Sequence, residues 1–222
     1  MSNIEITALK SVPEPAKGLV RDIRVRWALE EAGLPYAVRK LDMRMDLRDD
    51  RPADYLAESP FGQVPAYRDG DVAMFESGAI VLHIGETNEA LMPRDPQGRA
   101  RAKSWVLAAL NNVEPATWNY AMLRVFYGGQ DWAEQARPIF EETARKRLEP
   151  VAAYLGDNDW LEGRFTAGDL LMVCVLKIAG RTGLLADFPT LAAYQARGEA
   201  RPAYQRALAA QLADFENQQV TA

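Results

Sequence analysis

Apolar positions in the first ninety residues change period along the chain, and each change marks an element. Ile4, Ile6 and Ala8 alternate with Glu5 and Thr7 ahead of Leu9, the period-two pattern of a short strand over residues 4–9. A loop with two prolines, residues 10–18, follows. Leu19, Ile23 and Trp27, with Val20 and Ala28, then recur at helical spacing against Arg21, Asp22, Arg24, Arg26, Glu30 and Glu31. That pattern predicts an amphipathic helix over residues 19–32, ended by Gly33-Leu34-Pro35. Residues 36–41 form a second strand in this reading, and strand, helix, strand with short connections implies a parallel pair with a right-handed crossover. The irregular stretch 42–62 holds a helical turn near residues 53–58. Two further strands, 64–68 and 72–75, flank Asp69-Gly70, a strong hairpin signal. A helix carrying Ile80, Val81 and Ile84 begins after Ser77.

Beyond a polar linker at residues 88–96 the strand pattern stops. Helices are predicted at 97–126, 131–155, 167–182, 190–199 and 201–215. Thr166-Ala167-Gly168-Asp169 fits a capping box, with Phe165 placed for a hydrophobic staple. The helix it starts is apolar nearly all round, which predicts the buried centre of a helical domain. The expected organisation is an α/β domain over residues 1–87, the linker, and an all-helical domain over 97–222.

Composition narrows the function classes. A chain of 222 residues, 48% apolar and 26% charged, can bury a substantial core. Its net charge of −5 supplies no positive field to attract nucleic acid or an anionic membrane surface. The basic residues between Arg39 and Arg51 interleave with Asp42, Asp46, Asp49 and Asp50, which reads as a solvated surface. The longest apolar run, residues 170–176, is far too short to span a bilayer, and the first ten residues lack the pattern of a secretory signal. Cys174, the single cysteine, excludes an internal disulfide and a Cys-His metal set. A reducing, cytoplasmic setting with no metal is the expectation. Cys174 and the lone His83 both read as packing residues.

The candidate chemistry lies at Gln63-Val64-Pro65 and Glu76-Ser77. Proline cannot donate a ladder hydrogen bond, so Pro65 at the mouth of a strand predicts a bend that leaves the Val64 amide and carbonyl open to an extended peptide. The helix start at Glu76-Ser77 offers free amides, the Ser77 hydroxyl and the helix dipole to a carboxylate, while the Glu76 carboxylate suits an ammonium group. Together they fit a small peptide with an amino-acid head.

A thioredoxin-like βαβββα unit joined to an all-helical domain, carrying Gln63-Val64-Pro65, Glu76-Ser77 and Phe165-Thr166-Ala167-Gly168-Asp169, resembles the cytosolic glutathione transferase superfamily. Trp27 to Tyr36 also looks like that family's first helix and second strand. The resemblance implies glutathione as co-substrate, with Val64 pairing its cysteinyl backbone, Glu76 and Ser77 holding the γ-glutamyl end and Gln63 touching the peptide. Arg44, Arg48 or Arg51 would meet the glycyl carboxylate. A small hydrophobic electrophile would sit where the domains meet, near Trp118, Tyr120, Met122 and Phe126. A homodimer with a detoxifying activity is implied; an isomerase, dehalogenase, reductase or non-catalytic binding protein on the same fold is the alternative.

The sequence departs from the family pattern at the sulfur. Most members place a Tyr, Ser or Cys at or just before the first helix, and here the region reads Pro15-Ala16-Lys17-Gly18-Leu19-Val20-Arg21-Asp22. A free thiol is only about 3% ionised at pH 7, so some group must lower its pKa. The helix amides at residues 18–20 and the Arg21 cation are the candidates, with Ser11 earlier in the loop. Arg21 is the expected catalytic residue.

Overall fold

The computed structural model describes residues 4–43 and 51–216. The chain forms two units, one comprising the residues up to Leu91 together with those from Arg201 onward, the other Met92–Ala200.

In the first unit, β1 (Ile4–Leu9) leads through a single turn of 3-10 helix, Glu14–Ala16, to α1 (Asp22–Ala32) and β2 (Tyr36–Leu41). The short α2 (Ala53–Glu58) precedes β3 (Ala66–Asp69), β4 (Val72–Phe75) and α3 (Ser77–Glu86). The sheet order is β2-β1-β3-β4. β1 and β2 run parallel from Ile4↔Tyr36 to Leu9↔Leu41, as the crossover requires. β3 is antiparallel to β1, with Ile6 opposite Tyr67, and β4 returns antiparallel to β3 from Asp69↔Val72 to Ala66↔Phe75. Gly70 takes φ +57 at the hairpin turn, where a side chain would be strained. His83 packs edge-on against Tyr67, in the packing role expected for it.

Two expectations for α1 are corrected. The helix begins at Asp22 rather than Leu19, because Gly18 turns left-handed at φ +74 and the segment ahead of it winds as separate turns. Its charged positions are also not solvated: Asp22, Arg24 and Arg26 are all buried. α9 (Pro202–Glu216), expected in the helical domain, lies in the first unit and packs on α1 at Asp22 and Arg26. Arg26 Nε donates to Asp22 at 2.7 Å and Arg26 Nη2 to Asp214 at 2.6 Å, Gln211 Nε2 donates to Asp22 at 2.6 Å, and Lys40 reaches Asp214 at 2.9 Å. Arg201 grips Glu31, and Arg206 grips Glu30. Burial works against the Arg26 charge, yet Asp22 and Asp214 hold its pKa above the ordinary value. Burial pushes the Asp22 carboxyl up in spite of its donors. These charges are stable inside because they are paired; removing one partner strands the other.

The second unit opens with α4 (Pro96–Ala108), a π-helical turn at Ala109–Val113, and α5 (Glu114–Val125). The sequence predicts one helix here, and Pro115 is the reason for the break. It has no N–H to offer the Asn111 carbonyl, and the backbone widens so that the Glu114 N–H bonds Ala109 O, five residues back. α6 (Asp131–Leu155), α7 (Ala167–Arg181) and α8 (Pro189–Glu199) follow near their predicted places. α7 is buried throughout Ala167–Leu176 and packs on α4, α5 and α8. Gly168 permits the α4 approach, since a Cβ there would lie 2.5 Å from Trp105 Cβ. The predicted capping box is present, with Phe165 stacked edge-on against Trp160. The linker is less polar than expected, for Leu91 and Met92 are fully buried. Among the described residues no helix is long and apolar enough to cross a membrane.

Candidate functional site

The site forms at one end of the β3–β4 hairpin. Ala66 pairs with Phe75, so Val64, two residues earlier, and Ser77, two residues later, stand at the same open end of the ladder. β1 runs antiparallel to β3 and finishes there as well.

The Gln63-Val64-Pro65 bend is pinned from behind. The Val64-Pro65 bond is cis. Tyr55 Oη donates to the Gln63 carbonyl at 2.9 Å and Ser59 Oγ donates to the same oxygen at 3.0 Å. Thr7 Oγ1 lies 2.9 Å from Tyr55 Oη and accepts from the Ala66 amide at 2.7 Å. With the Tyr55 proton spent on Gln63, Thr7 is the donor in that pair, and the hydroxyls of Thr7, Tyr55 and Ser59 all have partners. Burial raises the Tyr55 phenol pKa, which keeps it a donor across the physiological range. Val64 itself lies outside the ladder, and its amide and carbonyl make no protein hydrogen bond among the described residues. The strand edge is thus held from behind, and the backbone of the buried Val64 is left without a ladder partner.

Across the hairpin end, Glu76 joins β4 to α3 at φ 72, ψ 111, the one non-glycine residue of positive φ among those described. Its side chain is exposed and caps nothing. Helix geometry leaves the first-turn amides, beginning with Ser77, without carbonyl partners inside α3. Ser77 is buried, at 4% exposure, and its Oγ accepts from Arg24 Nη1 at 3.3 Å.

The N-terminus of α1 completes the site. Arg21, half-buried at the N-cap position, donates from Nη1 to Gln63 Oε1 at 3.2 Å. The amides of a helix start belong to residues near Asp22, rather than to 18–20 as the sequence predicts, since the Leu19 amide already bonds Ala16 O. Ser11 is exposed, and its neighbour Val12 packs on the cluster that includes Leu9, Val20, Val64 and Phe215. Of the three arginines proposed for a glycyl carboxylate, Arg44 and Arg48 lie outside the described residues. The Arg51 chain runs across Gly62, where a Cβ would meet its Cγ at 2.8 Å, and so lies beside Gln63.

The structure therefore gathers Arg21, Gln63, Val64, Glu76 and Ser77 within one unit. It adds Thr7, Tyr55, Ser59 and Arg24. Arg24 carried a signal: it falls midway between Val20 and Ala28 on the apolar stripe, where a cation needs a reason. The aromatic candidates of α5 divide within the second unit. Tyr120 is core, its hydroxyl 3.1 Å from Glu141, whereas Trp118 and Phe126 are exposed and Met122, between them at four-residue spacing, is half-buried. Cys174 is buried in α7.

The family model for the glutathione S-transferase N-terminal domain matches residues 23–91. Glutathione S-transferase 3 of Zea mays is 30% identical over 201 residues, covering 85% of this chain and 88% of that protein. Maleylacetoacetate isomerase of Pseudomonas aeruginosa is 29% identical over 189 residues, covering 83% and 89%. A solved glutathione transferase from Burkholderia graminis, with two glutathione molecules bound per subunit, matches with a TM-score of 0.80 at 24% identity, over 93% of this chain and 87% of that one. The likeness in fold covers the thioredoxin-like sheet and the helical part alike.

Proposed function

The chain belongs to the glutathione S-transferase family, and from that premise we propose that it binds glutathione at the β3–β4 hairpin end and activates the thiol for attack on a small hydrophobic electrophile. The observation that carries this reading is the unpaired Val64 backbone standing at the same ladder end as the uncapped start of α3. Val64 pairs with the cysteinyl backbone, the α3 amides and Ser77 take the γ-glutamyl carboxylate, Glu76 takes its ammonium, and Gln63 and Arg51 serve the rest of the peptide.

The thiol loses its proton to solvent, and the thiolate lone pair forms the new carbon–sulfur bond as the electrophile's leaving group or π-electron pair departs. Arg21, whose guanidinium donates to Gln63 Oε1 beside Val64, holds the thiolate. The protein works in the cytoplasm as a homodimer, and sedimentation at micromolar concentration checks the dimer.

Calorimetric titration with glutathione tests the site, and thiolate absorbance of the complex against pH tests the activator. In Arg21→Ala the bound thiol pKa is expected to rise by about one unit. An unchanged pKa removes Arg21 from the mechanism and directs attention to Ser11; no binding by the wild type overturns the reading. The relative named maleylacetoacetate isomerase favours isomerisation as the second reading. Activity with a maleyl substrate and none with aromatic halides decides for it.

A further inference from the structure

Arg24 lies in the middle of this unit with only 3% of its surface exposed and gives one guanidinium N–H to Ser77 Oγ. α1 packs directly on α3, so the guanidinium reaches the start of α3 from the protein side. A serine hydroxyl has two lone pairs and a single proton. When a buried cation donates into one lone pair, the proton is turned away from that cation, toward the side from which a ligand approaches. An arginine stays charged at every physiological pH, so this orientation does not relax.

We propose that Arg24 is a positioning residue for the α-carboxylate of the γ-glutamyl end: it fixes Ser77 as a hydrogen-bond donor and sets a permanent positive charge behind the uncapped start of α3. The inference rests on the glutathione-binding reading above. The ligand group it serves is an anion, because a fixed donor, open helix amides and a desolvated cation all favour negative charge on the approaching side.

The test compares two ligands by calorimetry, glutathione and the analogue in which 4-aminobutanoate replaces the γ-glutamyl residue and the α-carboxylate is therefore missing. The wild type is expected to prefer glutathione strongly. Arg24→Met is expected to lose glutathione affinity by about tenfold or more while its affinity for the analogue stays within about twofold. Equal weakening toward both ligands would show a merely structural role and overturn the inference, as would unchanged preference. Arg24→Lys, which keeps charge and volume, guards against misfolding of the methionine variant; its loss should be smaller and confined to glutathione, and a wild-type preference overturns the proposal. Failure of the wild type to bind either ligand overturns the functional reading itself, which separates the two failures.

Discussion

Two helix starts in this molecule are built in opposite ways. At α7 the protein itself supplies the cap: the Asp169 carboxylate accepts from the Leu161 amide at 2.9 Å, the Thr166 amide at 2.9 Å, Thr166 Oγ1 at 3.0 Å and Tyr194 Oη at 2.8 Å, while Thr166 Oγ1 accepts from Gly168. Both capping residues are fully buried. At α3 the capping residue has an exposed carboxylate that bonds nothing there, its backbone is strained, and the hydroxyl beside it is held by a buried cation. The sealed start stabilises the fold, and the open one leaves unsatisfied donors that a ligand can complete. Open helix-start amides must be answered by water or by a ligand, and the α3 start is open to either.

The largest effect that would separate the two is on stability. Asp169→Ala leaves the Leu161 and Thr166 amides and the Tyr194 hydroxyl without their acceptor inside α7's packing, and should destabilise the protein by about 3 to 4 kcal/mol in urea unfolding. Ser77→Ala should move unfolding by only about 1 kcal/mol or less, yet weaken glutathione binding by roughly tenfold to a hundredfold, the range for a hydrogen bond to a charged group. Equal destabilisation by the two variants would erase the distinction between a sealed and an open start.

Glu76 sharpens it further. A non-glycine residue at positive φ is held against its preference at a typical cost of about 1 kcal/mol or more, and glycine has no such penalty. Glu76→Gly is expected to raise unfolding stability by about 0.5 to 1 kcal/mol and to weaken glutathione binding, since the carboxylate for the ligand ammonium is gone. A variant that is both more stable and a worse binder ties the strain to the ligand. A variant that binds as well as wild type shows that the strain belongs to the turn alone.

The sealed start was legible in the sequence because its partners Thr166 and Asp169 are three residues apart and follow a local rule. The hairpin, the crossover and most helix limits were legible for the same reason, being set by short-range period and turn residues. The strand end at Val64 was legible because Pro65 has no N–H to give a ladder, which suggests a bend there. What supports it from behind was not, since Thr7 meets Tyr55 across 48 residues and Arg24 meets Ser77 across 53. The charged positions of α1 are buried, where an amphipathic pattern alone implies a solvated face. Asp22 and Arg26 are answered by Gln211 and Asp214 of α9 almost 190 positions later, and periodicity carries no information about which distant segment brings such partners.

α1 is a third case, its buried Asp22 and Arg26 answered by the distant α9 rather than by near neighbours alone, and Asp214 offers the smallest and most specific test of it. Burial works to raise the Asp214 pKa, but Lys40 and Arg26 more than offset it, so the carboxyl titrates below its ordinary value. The unfolded chain therefore takes up the proton first on acidification. The Asp214 contribution is complete above the ordinary carboxylate pKa of about 3.9 and is lost as pH falls through the lower, folded value. Asp214→Asn should be less stable than wild type by about 0.5 to 1 kcal/mol at pH 7, the range for a partly exposed ion pair, with the gap closing below about pH 3.5. Asp22, whose burial raises its pKa, has the opposite slope but is shared by both proteins, and to first order it cancels in the difference. Urea midpoints at the two pH values decide the matter: a gap that persists in acid would mean that α9 is held on α1 by packing, and that its charges only accommodate one another.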